Sequence, residues 1–277
     1  MTYPRIATLT ALVGATLAAC TASDQTPADT ALNEVTFHAN DYSFQGPDTI
    51  SAGMTRFTLV NDGPGYHHIQ LVRLDSAKTL ADLETALKTP GMPPGWAVFM
   101  PGPNSPDPKG SSILTAEVAA GNYAVICVVD IPEMTPYFAR GMVKGLTVTA
   151  GTGAMAAAPT ADIVLTMFDY NFTLSTPLTA GRHVIEVVNT GPQPHEVFIM
   201  RLAPGKTLDD FGKWMATMEG TPPGTALGGT TFALPGVKSW IEVDFSPGDY
   251  ALLCFVPDAK DGKPHLEHGM VQPFKIE

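Results

Sequence analysis

The sequence is short of charge, and of positive charge most of all. Only 16% of its 277 residues are Asp, Glu, Lys or Arg, and 16 Lys and Arg face 27 Asp and Glu, a formal net charge of -11. Without clustered cations to neutralise phosphates, nucleic acid is excluded as the main partner. Cysteine is scarce as well. Three cysteines cannot build a disulfide scaffold, and their odd number asks for separate roles. Past the amino-terminal segment no apolar run reaches the roughly eighteen residues that a spanning helix needs. What the chain has in excess is Gly (26) and Pro (25), beside an apolar fraction of 44%. That is the composition of a packed, turn-rich protein with little long helix, and the length suggests two domains.

The amino terminus accounts for one cysteine. Met1 to Ala19 reads as an export signal, with Arg5 as its one charge, an apolar stretch from Ile6 to Leu17 and small residues after it. Its end, Leu17-Ala18-Ala19-Cys20, resembles the bacterial lipobox, which implies cleavage before Cys20 and acylation of that residue. The alternative is an ordinary cleavage site with Cys20 incidental. Residues 20–32, rich in Thr, Ala and Asp, then read as a flexible tether. The expectation is an exported protein, lipid-anchored to a bacterial membrane and facing the periplasm or the cell exterior.

Compared with itself, the chain repeats at an offset near 128 residues. Asp41-Tyr42-Ser43-Phe44 falls on Asp169-Tyr170-Asn171-Phe172, and Asn61, Gly63, Pro64 and His67 fall on Asn189, Gly191, Pro192 and His195. Arg73-Leu74 matches Arg201-Leu202, and Thr79-Leu80 with Asp82 matches Thr207-Leu208 with Asp210. With a shift of one, Gly121, Tyr123 and Cys127 match Gly248, Tyr250 and Cys254; Gly141-Met142 and Gly269-Met270 return to the first offset. The repeat gives one domain over 33–149 and a second over 161–277, joined by a Gly/Ala/Thr/Pro linker over 150–160.

Each copy is mostly strand. Arg56 to Val60, Ile69 to Leu74 and Tyr123 to Val129 read as strands in the first, and His183 to Val188, Val197 to Leu202 and Tyr250 to Val256 in the second. One helix per copy starts at a capping-box-like Thr79 or Thr207 and runs through Leu83, Ala86 and Leu87, or through Phe211, Trp214, Met215 and Met218. Short strands at turn-punctuated spacing point to an all-β Greek-key sandwich or barrel.

The second copy gathers metal-ligand residue types in order: Pro194-His195, Cys254, Pro264-His265 and Gly269-Met270. Two imidazoles, a thiolate and a weak thioether are the donors of a blue-copper electron-transfer site. Alternation along a strand puts Tyr250, Leu252 and Cys254 on one face, carrying the thiolate inward.

These segments resemble the cupredoxins, the plastocyanin and azurin family, over nearly the whole chain after the tether. Asn189 to His195 with Glu196-Val197-Phe198 is similar to the family's first-histidine segment. Gly248-Asp249-Tyr250, Cys254, Pro264-His265 and Gly269-Met270 are similar to its carboxy-terminal ligand segment, including the five-residue step from His to Met. The resemblance implies two tandem cupredoxin-like Greek-key β-sandwiches, each with one inserted short helix, and one type-1 copper site in the second. His195, Cys254 and His265 would be equatorial ligands and Met270 the axial one. It implies outer-sphere one-electron transfer, with the imidazole nearest the surface as the exit, to a redox partner protein that the sequence does not name. The acidic chain suits a partner with a basic patch. One departure is plain: ten residues, Phe255 to Pro264, separate Cys254 from His265, a longer step than the family's.

In the first copy His67, Cys127 and Met142 stand at ligand positions, but Tyr137 replaces the second histidine, so that copy is expected to hold metal weakly or not at all. His68 is a candidate substitute, but neighbours on a strand face opposite ways. His268 is a competing imidazole at the wrong step from Met270, and His38 and His183 read as structural. Oxidase or reductase chemistry is not expected, because Phe255 and Val128 follow the cysteines and no His-x-His pair occurs. Two non-enzymatic alternatives stand beside electron transfer. One is copper handling, for which Met215 and Met218 on one helical face would suit Cu(I), although Phe211 and Trp214 beside them favour core packing. The other is a metal-free cupredoxin-like binding or structural module. A disulfide between Cys127 and Cys254 is not expected, since two interior strands would have to meet.

Overall fold

The computed structural model describes residues 1, 32–75, 77–89, 94–129, 135–151 and 156–277. The signal peptide, Cys20 and all but the last residue of the expected tether lie outside the described residues.

The first half runs β1 (Asn33–Asn40), β2 (Ser43–Gln45), β3 (Thr49–Ser51), β4 (Gly53–Asn61), β5 (Gln70–Leu74), α1 (Leu80–Ala86), β6 (Ala97–Met100), β7 (Ser111–Val118), β8 (Gly121–Ile126) and β9 (Val143–Thr149). The second runs β10 (Ile163–Phe168), β11 (Asn171–Leu174), β12 (Gly181–Asn189), β13 (His195–Leu202), α2 (Leu208–Met215), β14 (Gly224–Ala233), β15 (Lys238–Phe245), β16 (Gly248–Leu253) and β17 (Val271–Ile276). Side chains alternate as a half-buried strand requires: Val35, Phe37 and Ala39 of β1 point inward, as do Ile163, Leu165 and Met167 of β10. Each half is a two-layer sandwich. In the first, β2-β1-β4-β7 faces β3-β9-β8-β5-β6; in the second, β11-β10-β12-β15 faces β14-β13-β16-β17. The expected all-β pair of sandwiches, each with one short helix, is the architecture of this chain.

The two sandwiches are also joined edge to edge. Antiparallel pairing of β7 with β15, at Thr115–Trp240, Leu114–Ile241 and Ile113–Glu242, joins the outer layers into one eight-stranded sheet. An unpaired edge strand exposes a row of N–H and C=O groups, and here each half covers the other's edge. Leu114 and Ala116 thereby enter the core of the second half, beside Val197 and Ile241. Behind the sheet, the buried Asn104 side chain donates to the carbonyls of Val197 and Thr230, and Thr231 donates to the Ile69 carbonyl.

Both helices begin at complete capping boxes, Thr79 with Asp82 and Thr207 with Asp210. They end earlier than their apolar pattern suggests. Leu87 is a cap, and α2 stops at Met215 because the chain turns at Met218, whose φ is 51° and whose N–H returns to the Trp214 carbonyl. Met215 and Met218 therefore share no helical face, and Met215 is exposed rather than packed in the core. The strands expected to reach Val129 and Val256 end at Ile126 and Leu253, where backbone bonds pass from the ladder to the turns that follow.

If the fused sheet makes one cooperative body, Leu114→Ala should cost about 2–5 kcal/mol and lower a single calorimetric transition for the whole chain. A second-half transition that does not move would show the halves to be independent.

Candidate metal centre

The first histidine is held by a local loop before any long-range contact is needed. Asn189 ends β12, its side chain donates to the Gln193 carbonyl and accepts the Gly191 N–H, and the resulting turn delivers His195 at the start of β13. Glycine is required in that turn, because a Cβ on Gly191 would lie 2.8 Å from His195 Nε2 and 2.9 Å from Asp169 Oδ1. Those two atoms are themselves 2.8 Å apart. Nε2–H donates to the carboxylate, so the other ring nitrogen, Nδ1, turns inward and carries the lone pair.

Cys254 and His265 come from one hydrogen-bonded frame past β16. Cys254 N–H donates to the Met270 carbonyl, Leu266 N–H to the Cys254 carbonyl and Met270 N–H to the His265 carbonyl. A 3-10 turn over His265–His268, closed by Gly269 at φ 95°, leads into Met270, which is fully buried in the same core as Cys254. The long segment from Phe255 to Pro264 does not carry His265 away. Asp258 N–H bonds the Lys263 carbonyl, Gly262 N–H bonds the Asp258 carbonyl and Gly262 adopts φ 73°, folding the segment back on itself.

The result is convergence. His195 Nδ1 lies 3.0 Å from His265 Nδ1, and Cys254 Sγ lies 3.5 Å from His265 Nδ1. One ligand atom from each of the three falls within 4.8 Å of the others, and all three side chains are fully buried. Two aromatic nitrogens at that distance and a thiol beside them fit a small shared cation with soft and borderline preferences. Among the described residues His265 Nε2 has no hydrogen-bond partner, although Asp258 Oδ2 is 3.6 Å away. A small movement of the ring toward Asp258 would complete that bond and open the space between the Nδ1 atoms. Burial holds both imidazoles below the ordinary histidine value, helped at His265 by the neighbouring His195, so both are neutral at pH 7. Burial, and then the Glu196 carboxylate, pushes the Cys254 thiol up, so it keeps its proton until a cation replaces it.

The surrounding residues were not apparent as site residues in the sequence. Glu196 N–H donates to Cys254 Sγ at 3.4 Å, while the Glu196 carboxylate accepts the Phe255 N–H and the Asn104 amide. Burial lifts that carboxylate to about 7. Asp258 accepts from Tyr170 and Gln193, bonds that hold it well below the usual carboxylate range. With the Tyr170 ring 5.3 Å from His265, they form a lid. Neither imidazole reaches solvent, and the Tyr170 ring covers His265. Asp169-Tyr170 belongs to the repeated Asp-Tyr-x-Phe motif, the one sequence signal that marks this layer.

His268 is exposed on the far side of the lid, bonded to Asp261, and stands apart from the buried trio. His38 pairs with Asp62 and His183 with Thr179. Cys127 and Cys254 are both free. In the first half His67 bonds Asp41 at 2.8 Å and Tyr137 packs edge-on against it, with ring centres 4.5 Å apart. His68 is not on a strand. It is buried behind His67, its Nε2 accepts the Val128 N–H, and burial pushes it down to about 3.

No protein-family model matches the chain, and no curated protein matches it. Among solved structures it is similar to a dithionite-reduced auracyanin from Roseiflexus castenholzii, at 19% identity over 43% of this chain and 98% of that one, with a TM-score of 0.30. It is similar to a blue copper oxidase from Nitrosomonas europaea at 14% identity, over 89% of this chain and 86% of that one, with a TM-score of 0.27. A copper nitrite reductase from Nitrosomonas europaea matches at 16% identity over 89% and 94%, with a TM-score of 0.28. At these scores the fold and the site rest on the chain's own geometry.

His68 also sets a pH dependence. Because its folded value is depressed from 6.5 to about 3, it adds stability above the unfolded value and loses it as pH falls through that window. Between pH 6.5 and 5 the loss is about 2 kcal/mol. Denaturant unfolding at pH 7 and pH 5 should show a smaller acid loss in His68→Gln than in the parent, and equal losses would remove His68 as a cause.

Proposed function

We propose that the second half binds one copper ion through His195 Nδ1, His265 Nδ1 and Cys254 Sγ, with Met270 as a weak fourth ligand, and that the protein carries single electrons. One observation carries this reading: two neutral imidazole nitrogens and a thiol meet in a dry pocket, with the far nitrogen of His195 already tied to Asp169. A zinc site would call for a stronger fourth donor than a thioether, whereas thiolate and thioether together favour copper. Bound copper supplies a one-electron couple between Cu(II) and Cu(I). The chain's part is to hold its donors fixed, through Asp169 on His195, the Glu196 N–H on Cys254 Sγ and the backbone frame of Cys254, His265 and Met270.

Transfer rather than catalysis is favoured by the residues beside the cysteines. Phe255 and Val128 cannot pass an electron on to a second metal centre as a histidine could, and no His-x-His pair supplies one. A long step between Cys254 and His265 would suit the binding-module alternative, yet that loop returns His265 to within 3.5 Å of Cys254 Sγ. We read Leu17 to Cys20 as a lipid-attachment signal, which would tether the protein at a bacterial membrane outside the cytoplasm. Among the described residues no helix is long and apolar enough to cross a membrane. The net charge of -11 suits a redox partner with a basic face, with association weakening as salt rises.

Addition of Cu(II) should give an intense thiolate-to-copper band in the visible, absent in Cys254→Ser. A colourless protein without stoichiometric copper would refute the reading. Asp169→Ala, which frees the His195 ring, should weaken copper binding about 10–100-fold in a chelator competition.

A further inference from the structure

The first half keeps more of a metal site than packing needs. His67 is fully buried, its Nε2 bonds Asp41 Oδ1 at 2.8 Å, and its buried Nδ1 has no hydrogen-bond partner among the described residues. An unpaired buried nitrogen costs stability unless something else uses its lone pair. Since Nε2 holds the carboxylate, Nδ1 faces the opposite way, as it does on His195, where it meets the other ligand atoms. Cys127 and Met142 are also fully buried, in one core with Tyr137.

The frame around them repeats that of the second half bond for bond. Cys127 N–H donates to the Met142 carbonyl, Phe138 N–H to the Cys127 carbonyl and Met142 N–H to the Tyr137 carbonyl, and Gly141 closes the 3-10 turn at φ 98°. The Asn61 side chain donates to the Gly65 carbonyl and accepts the Gly63 N–H, setting His67 as Asn189 sets His195. A Cβ on Gly63 would lie 2.6 Å from His67 Nε2, so this turn too is shaped around its histidine. Tyr137 fills the place of the second imidazole, which leaves one nitrogen and two sulfurs.

We propose that the first half is a second metal site, in which His67 Nδ1, Cys127 Sγ and Met142 Sδ hold Cu(I) in three-coordinate fashion. Two sulfur donors and one imidazole suit Cu(I), and without the second imidazole the set lacks what Cu(II) favours. On binding, the Cys127 S–H bond breaks, a sulfur–copper bond forms and the proton leaves to solvent. No electron moves. The two halves would then differ in task, one cycling between two oxidation states and the other holding only the reduced ion.

The test is a count. The full chain carrying Cys20→Ser, to remove the third thiol, is titrated anaerobically with Cu(I) against a chromogenic Cu(I) chelator. Two equivalents should bind, falling to one in Cys127→Ser, to one in Cys254→Ser and to none when both are changed. The equivalent left in Cys254→Ser should release one proton on binding and show sulfur scatterers by X-ray absorption. If Cys127→Ser fails to fold by near-ultraviolet circular dichroism, His67→Phe and Met142→Leu replace it, and each should weaken the first-half equivalent at least tenfold. A single equivalent that Cys254→Ser abolishes overturns the proposal and leaves the second-half site standing. A single equivalent lost only in Cys127→Ser supports it and counts against the second-half site.

Discussion

Three rungs of backbone pairing between β7 and β15 decide what this molecule is. A sandwich of little more than a hundred residues has an outer sheet with an open edge, and two such edges in one chain are two sites for unwanted pairing. Turned toward each other, they remove the hazard and add a shared core, with Leu114 of the first half packed under Ile241 of the second. Once the sheets are joined, the loops behind them must lie close. Asn104, on the segment leading into β7, is therefore buried against both halves and has to satisfy its polar atoms there.

That placement ties the two sites together. The residue after the first histidine is His68 in one copy and Glu196 in the other, and each accepts the N–H of the residue after the cysteine, Val128 or Phe255. The Asn104 amide donates to Glu196 Oε2, and the same side chain bonds His68. One exchanges a neutral ring for a carboxylate across the repeat, yet both serve one purpose: to accept a backbone donor that the end of the strand would leave unpaired. Neither is free to become a metal ligand, which explains why His68 does not replace the imidazole that Tyr137 displaced.

The repeat made much of this legible in the sequence. Equivalent residues near 128 apart fill equivalent places, and the order of donor types in the second copy let His195, Cys254, His265 and Met270 be named as one set before any contact was known. Capping boxes at Thr79 and Thr207 were legible for a similar reason, because a cap is a local bond between residues three apart. What the sequence did not disclose depends on distance in space. The edge pairing of β7 with β15 has no signature, because an edge strand and a central strand share the same alternation. The lid was hidden because its parts, Tyr170, Gln193 and Asp258, lie on three segments and meet only when the long loop folds back. The early end of α2 was missed because apolar spacing ran on past Met215, while the left-handed turn at Met218 was set by the path of the chain toward β14.

The lid changes how the proposed centre would work. A ring edge at the surface offers a short path and admits water; here Tyr170, Asp258 and Gln193 exchange that path for a dry pocket in which fixed bonds replace reorienting solvent. They also set the balance of charge. Asp169 and Asp258 lie one imidazole away from the convergence point, and both are held below the usual carboxylate range. Two negative charges in a medium of low polarity favour the more positive of two metal states, by more than the same charges would in water. Burial acts the opposite way, since it disfavours any net charge, but with a thiolate and two carboxylates around it a bound copper would be nearer to neutrality in its oxidised state, so these residues would favour that state. The Tyr170 ring packs on His265 within and on His268 without, so it is the ring that separates the buried imidazole from the exposed one.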